Sequence, residues 1–290
     1  MVEKMASENI EVILCCEILN LSRSGYYAWK KRPLCARKKE NDQLAKDVRS
    51  IFDQSRGTYG VPRIKAKLAT SGKRHGKARL AKVMKQEGLK PAAAKKYKVN
   101  TTDSNHSLPI AERIFKTETA SEQVTRPNQF WATDITYVPT EEGWLYLAVF
   151  LDLFTRKAVG FSMADHLRTE LVLNALDMAL GRQLLLEDHE LVSHSDRGCQ
   201  YAAQIYRVRL DDLGMTVSHS RRANCYDNAF AESFFHTLKV ELVHRNKFKT
   251  RKEAMEAIFE YIEVWYNRQR LHSSLGYQTP IDYERLAEVA

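Results

Sequence analysis

Residues 130–139, FWATDITYVP, place one acid, Asp134, in the middle of an otherwise apolar run that favours a strand. Strand alternation puts Ala132, Asp134 and Thr136 on one face and Trp131, Thr133 and Ile135 on the other. A carboxylate buried there is costly unless it binds a metal or pairs with a cation. Two more acids stand in marked surroundings: Asp196 in residues 192–201, VSHSDRGCQY, and Glu232 in residues 228–239, NAFAESFFHTLK. The chain holds 36 Asp and Glu, so position rather than presence singles these three out.

Working outward, Glu141-Glu142-Gly143 reads as a turn. Trp144 to Leu153 is a continuous apolar run, as expected of a central strand covered on both faces. A third strand is expected from Lys157 to Met163. Thr169 would cap a helix over Glu170–Leu180, with Leu171, Leu173, Ala175, Leu176 and Leu180 inward. A short strand from Glu190 to His194 then leads into Asp196. Residues 200–213 read as a helix and 215–218 as a strand. Three strands followed by alternating helix and strand predict an α/β sheet with packed helices. Asp196 would sit just past a strand's C-terminal end, where open α/β sheets place ligands. Asn224 or Asp227 would cap the next helix, which buries Ala231, Phe234, Phe235, Leu238 and Leu242. Glu232, His236 and Lys239 share its other side. Thr250 and Glu253 form a capping box for a final helix with Ala254, Ile258, Tyr261, Ile262 and Trp265 on one face. This helix is expected to support the core, with its basic end, Arg268, Arg270 and His272, near DNA.

Charge is uneven along the chain. The net charge is +9, but residues 1–125 carry 26 Lys and Arg against 13 Asp and Glu, and the remainder is slightly acidic. From Arg56 to Lys98 there are 14 basic residues and one acid, Glu87. Such a block suits a phosphate-facing surface better than a solvated helix face. Around it lie three short helical patterns: one over 41–55, one beginning near Pro62 with Ile64 and Leu68 inward, and one from Lys77 to Glu87 ending at Gly88. Three short helices with tight turns and a basic last helix fit a helix-turn-helix reader of DNA. Arg63, Lys65, Lys77, Arg79, Lys82 and Lys85 are the expected DNA contacts. Ahead of them, Ser22 or Ser24 would cap a short helix whose Tyr26, Tyr27 and Trp29 pack a small unit, with Lys30, Lys31 and Arg32 as further phosphate contacts.

The expected division is an N-terminal helical segment (1–40), a helix-turn-helix domain (41–98), a polar linker or extended arm (99–126), an α/β core (127–245) and a C-terminal helical extension (246–290). No apolar run is long enough to span a membrane, and the N-terminus lacks the basic region of a signal peptide. The five cysteines show neither zinc spacing nor a disulfide framework.

Attack on a phosphodiester needs positive charge at the phosphate. Two Mg²⁺ ions roughly 4 Å apart supply it, and they prefer the hard oxygens of Asp and Glu. A mid-strand acid, a strand-end acid and a helix acid can converge on such ions. Asp152 also interrupts an apolar strand, but Arg156 or Lys157 stands ready to pair with it. Ser195 beside His194 is no nucleophile pair, because neighbours on a strand point to opposite faces.

At these residues the chain resembles a known family. FWATDITYVPT, VSHSDRGCQY, residues 220–244 (SRRANCYDNAFAESFFHTLKVELVH) and residues 266–280 (YNRQRLHSSLGYQTP) closely resemble the OrfB-type DDE transposases of bacterial insertion sequences, of the insertion-sequence-three family. Upstream, SRSGYYAWKKR and YGVPRIKAKL look like that family's N-terminal helix-turn-helix part. The resemblance implies a ribonuclease-H-like core, as in retroviral integrases, with Mg²⁺ (Mn²⁺ as substitute) held by Asp134, Asp196 and Glu232. It implies double-stranded DNA as partner, element ends and target alike, and the joining of a 3′-hydroxyl to a target phosphodiester. It places Lys239, seven residues after Glu232, on DNA near the site. It further implies a homo-oligomer on DNA, an upstream transposase subunit or frameshift fusion partner, and action in the bacterial cytoplasm at the nucleoid. Cys199 stands where the family often has Ser. The competing expectations are a non-catalytic DNA-binding regulator and a ribonuclease-H-type nuclease without strand transfer.

Overall fold

The computed structural model describes residues 2, 5, 10–33, 35–92, 110–183, 185, 190–221 and 228–289. Two short helices come first, α1 (Val12–Ile18) and α2 (Arg23–Lys31). Ser22 is the N-cap, its hydroxyl accepting from the Gly25 amide at 3.3 Å. Cys15, Cys16 and Tyr26 are buried between these helices, whereas Tyr27 and Trp29 are exposed. The expectation that all three aromatics pack inward therefore holds for Tyr26 alone.

Helices α3 (Ala36–Gln54), α4 (Val61–Thr70) and α5 (Lys77–Gln86) form the next unit. The first starts five residues before the predicted 41. Leu44, Val48, Ile64, Leu68, Leu80, Val83 and Met84 fill its centre. Pro62 lies in the first turn of α4, where its missing N–H costs nothing. Gly88, with φ of 68°, ends the run after α5.

The core is a five-stranded mixed sheet in the order β3-β2-β1-β4-β5. Its strands are β1 (Phe130–Thr140), β2 (Gly143–Asp152), β3 (Ala158–Ala164), β4 (Val192–Ser195) and β5 (Thr216–His219). The first three run antiparallel as a meander; β4 and β5 join β1 in parallel. Ahead of the sheet lies a single-turn helix, α6 (Ala120–Gln123), and after β3 comes α7 (Thr169–Arg182). Arg168 rather than Thr169 is the N-cap of α7, and no side chain caps it. Val172 and Ala179, not Leu173 and Leu180, join Leu171, Ala175 and Leu176 as its fully buried residues. The expected helix over 200–213 breaks at Ala203 into α8 (Cys199–Ala202) and α9 (Gln204–Asp212). Helices α7, α8 and α9 cover one face of the sheet around Trp131, Phe150 and Tyr201.

The other face is covered by α10 (Ala229–Glu241) and α11 (Arg251–Glu260). Asn224 and Asp227 lie outside the described residues; Asn228 is the N-cap, without a side-chain cap bond. Thr250 accepts from the Glu253 amide at 3.1 Å, while the Glu253 carboxylate accepts from Lys249 rather than from Thr250. Past α11 the chain widens into a π-turn, Tyr261–Tyr266, and closes with α12 (Pro280–Val289).

One expectation gains detail here and one changes. Within the span expected as a linker or extended arm, residues 110–116 lie along β5: the Ser218 hydroxyl accepts from the Ile114 and Phe115 amides at 3.0 and 3.2 Å. Phe115 is fully buried against Phe130, Ala132 and Ala231. The apolar side chain and edge hydrogen bonds outweigh the polar composition around them. Arg270, expected at a DNA-facing end, is instead buried against Glu241 at 2.9 Å, each side chain only 6% exposed. Tyr261 and Trp265 also donate to Glu241, so the acid's lone pairs are filled.

Candidate active site

Parallel pairing brings two of the three acids together. Thr133 of β1 is in register with Ser195 of β4. One residue further on each side come Asp134, still in β1, and Asp196, just past the end of β4. Asp196 bends off the strand: its Oδ1 accepts from the Gly198 amide at 2.9 Å. A Cβ on Gly198 would sit 3.1 Å from that oxygen, a tight contact that the carboxylate would have to shift to relieve.

Asp134 shares its face with Val138 and, across the ladder, with Val149, both packed under α10 and α11. The buried Asn228 directs Nδ2 at the Thr133 carbonyl, 3.5 Å away, which seats the start of α10 over this part of β1. Glu232 follows in the first turn of α10. Its side chain is exposed, as is that of His236, while Lys239 is half-buried. Burying Ala231, Phe234, Phe235 and Leu238 forces this opposite side of the helix toward the open end of the sheet.

The electrostatics are those of crowded acids. Asp134 lies deep among packed atoms with a window to solvent. Burial, and then the charge of Asp196, hold its carboxyl well above the usual carboxylate range; Glu232 adds to this. Burial also raises Glu232. Lys239 is drawn down by burial and pulled back up by Asp134; its ammonium lies 5.1 Å from the centre of the Tyr137 ring. Among the described residues no three His, Cys, Asp or Glu side chains stand close enough to hold one metal ion as they are. The donor set is all carboxylate, and Asp134 is buried beside the charge of Asp196. These residues therefore fit a hard divalent cation.

Residues not singled out in the sequence complete the surroundings. Tyr201, buried on the far face, shares a hydrogen bond of 3.3 Å with Thr133, next to Asp134. Burial raises its hydroxyl well above the usual phenol range, and Asp134 and Asp196 add to the effect. Its signal was available: it ends the same VSHSDRGCQY run that contains Asp196.

Asp152 stands apart from this site. Its carboxylate accepts from the amides of Asn128, Phe154 and Thr155 and from the Thr155 hydroxyl. It holds the β2–β3 turn and pairs with neither expected cation. Lys157 pairs with Glu284, and Arg156 lies 3.9 Å over the Phe230 ring. His194 hydrogen-bonds to Ser218 and Ser220, and Ser195 donates to the Asp196 carbonyl, so Ser195 and His194 do not pair with each other.

The predicted DNA contacts divide. Lys65, Lys77, Lys82 and Lys85 are exposed. Arg79 is engaged with Asn41, and Arg63 donates to the Leu271 carbonyl at 2.9 Å. Those two side chains brace the protein itself.

Comparison with known proteins agrees with this architecture. Models described as "Integrase core domain" match residues 124–225 and 232–286, and one described as "HTH-like domain" matches residues 39–97. The transposase InsF for insertion sequence IS3A of Escherichia coli (strain K12) is 35% identical over 285 residues, 98% of this chain and 96% of the relative. The chain belongs to the IS3 family of insertion-sequence transposases. The insertion element IS600 uncharacterized 31 kDa protein of Shigella sonnei is 42% identical over 265 residues, 91% of this transposase and 95% of that protein. Among solved structures, the HTLV-2 integrase catalytic core domain in complex with magnesium is similar at a TM-score of 0.40 and 15% identity, over 56% of this chain and 99% of that one. As a member of its family this transposase is a DDE-class enzyme that binds DNA. No described helix is long and apolar enough to cross a membrane.

Proposed function

We propose that Asp134, Asp196 and Glu232 are the catalytic carboxylates and that this transposase joins a 3′-hydroxyl at the end of its element to a target phosphodiester. The observation that carries this is the in-register pairing of β1 with β4, which sets Asp134 beside Asp196 under the first turn of α10. Bound there, two Mg²⁺ ions (Mn²⁺ as substitute) would neutralise the phosphate and activate the attacking oxygen. Asp134 would offer oxygens from β1, Asp196 from the turn after β4, and Glu232 from the first turn of α10. Lys239, two turns on, places its ammonium where a DNA phosphate approaches the acids. The exposed Lys65, Lys77, Lys82 and Lys85 would hold the duplex through its backbone. The same reading places the protein on bacterial DNA in the cytoplasm, as a homo-oligomer with an upstream transposase subunit or fusion partner.

The test is Glu232→Gln, which keeps shape and removes charge. Strand transfer, measured with labelled element ends and Mg²⁺, is expected to fall by about a thousandfold, the scale of several kcal/mol of lost charge stabilisation. Duplex binding should be unchanged. Strand transfer surviving at near wild-type rate would remove Glu232 from the site. Cleaved but unjoined ends from the wild-type protein would favour a nuclease, and bound, unaltered ends a regulator.

A further inference from the structure

The helix-turn-helix unit and the catalytic core meet along a seam, and the seam holds a cleft of about 270 Å³. One wall is Phe52, Gly57, Lys90 and Ala92; the other is Val240, His244 and Arg245 at the end of α10. That volume equals roughly nine waters at about 30 Å³ each. It falls just below the range of pockets that enclose small organic ligands, about 300–1,000 Å³. The lining contains Lys90, His244 and Arg245 and no carboxylate, and all three side chains are exposed.

The floor is built to stay open. Gly57 adopts φ of 68°, and its carbonyl accepts from the Ala92 amide at 2.9 Å. Arg245 donates to the Arg56 carbonyl at 2.6 Å, so its guanidinium is anchored across the seam. Lys90 makes no hydrogen bond or ion pair with any described residue. Some exposed cations nearby find acids, Arg49 with Glu87, Arg56 with Glu260 and Lys73 with Asp47, whereas Lys90, like Lys65, Lys77, Lys82 and Lys85, pairs with none among the described residues. At the cleft the acids are missing. Val240 directly follows Lys239, so the cleft adjoins the helix that carries Glu232. Lys247 and Lys249, also exposed, continue the same basic run beyond it.

We infer that this cleft is a phosphate-binding notch that seats the DNA backbone between the helix-turn-helix unit and α10, with Lys90 and Arg245 as its cationic walls. The inference rests on the DNA-joining reading above. It adds a contact on the path from the helix-turn-helix lysines to the acids, and makes bound DNA a bridge across the seam. Readout of sequence is not its task, because a phosphodiester is the same at every step.

The test compares wild type, Lys90→Gln and Lys90→Arg on two duplexes of unrelated sequence, titrated with sodium chloride. Loss of one phosphate contact lowers the slope of log affinity against log salt by about 0.9. That drop is expected for Lys90→Gln, equally on both duplexes, with the melting temperature unchanged and the slope restored by Lys90→Arg. An unchanged slope overturns the notch, and so does a change on one duplex alone, which would mean base reading. Inorganic phosphate should compete with DNA at the notch of wild type more than chloride does at equal ionic strength, and not in Lys90→Gln. Lys90-dependent binding of inorganic phosphate with DNA affinity unaffected by either phosphate or Lys90→Gln would mark a site for free phosphate and overturn the backbone assignment. Failure of wild type to bind either duplex at low salt would instead count against the DNA-joining reading.

Discussion

Asp134 and Asp152 are both acids within apolar strands, and their surroundings separate them. Asp152 accepts four hydrogen bonds at 2.7–3.1 Å and is fully occupied in holding a turn. Asp134 accepts one among the described residues, from the Ile135 amide at 2.8 Å, and faces Asp196. A buried acid with few donors and a like charge beside it is suited to take a cation. The same contrast marks the basic residues: Arg270 is consumed by Glu241, whereas Lys239 is not paired in that way. His272 carries a testable consequence. It is buried beside Tyr266, and burial, then the charges of Arg270, Arg63 and Arg156, depress its pKa to about 2. The unfolded chain takes up this proton near pH 6.5 and the folded chain does not. Stability should therefore decline as pH falls below about 6.5, with this residue contributing up to about 1.4 kcal/mol per pH unit. Urea unfolding at pH 7, 6 and 5 should show a shallower decline for His272→Gln than for wild type. Parallel declines would exclude His272 as the source.

At the scale of elements, periodicity was a sound guide to what forms and a poor one to how pieces touch. The alternation of FWATDITYVP and the apolar run after Trp144 announce β1 and β2, and both form. The position of α7 against β3 was not legible, because it depends on a missing side chain. A Cβ built on Gly160 would lie 2.6 Å from the Ala179 amide nitrogen and closer still to the Ala175 carbonyl oxygen. Backbone cannot yield as a side-chain tip can. Gly160→Ala should cost about 1–3 kcal/mol or more, as overpacking does, and lower the melting temperature by several degrees. An unaltered melting curve would mean that α7 moves away freely. The π-turn at Tyr261–Tyr266 was equally hidden: Tyr261, Ile262 and Trp265 suit an ordinary helical face, yet the turn widens where Tyr261 and Trp265 both donate to Glu241.

At the scale of the molecule, the helix-turn-helix unit is fastened to the core. One apolar cluster runs from Leu44 and Tyr59 through Trp265 to Val138 and Leu147. The Tyr59 hydroxyl accepts from the Leu271 amide at 2.7 Å and donates to the Gln269 carbonyl at 3.2 Å. Tyr59→Phe leaves the buried Leu271 amide without its acceptor, a loss of about 1–3 kcal/mol. The helix-turn-helix unit should then loosen before the core does. Limited proteolysis is expected to cut the variant between the two units at protease levels that spare wild type; identical digests would mean that the apolar cluster alone holds the seam. By itself the sequence determined the order of elements, the basic character of the first half and the three acids, since each is a local pattern of hydrophobicity, charge or motif. Tertiary structure alone decided which acids meet, which cations stay exposed and where the two units join. Those outcomes depend on strand register, on buried partners such as Glu241 for Arg270, and on backbone contact at Gly160, none of which leaves a periodic trace in the chain.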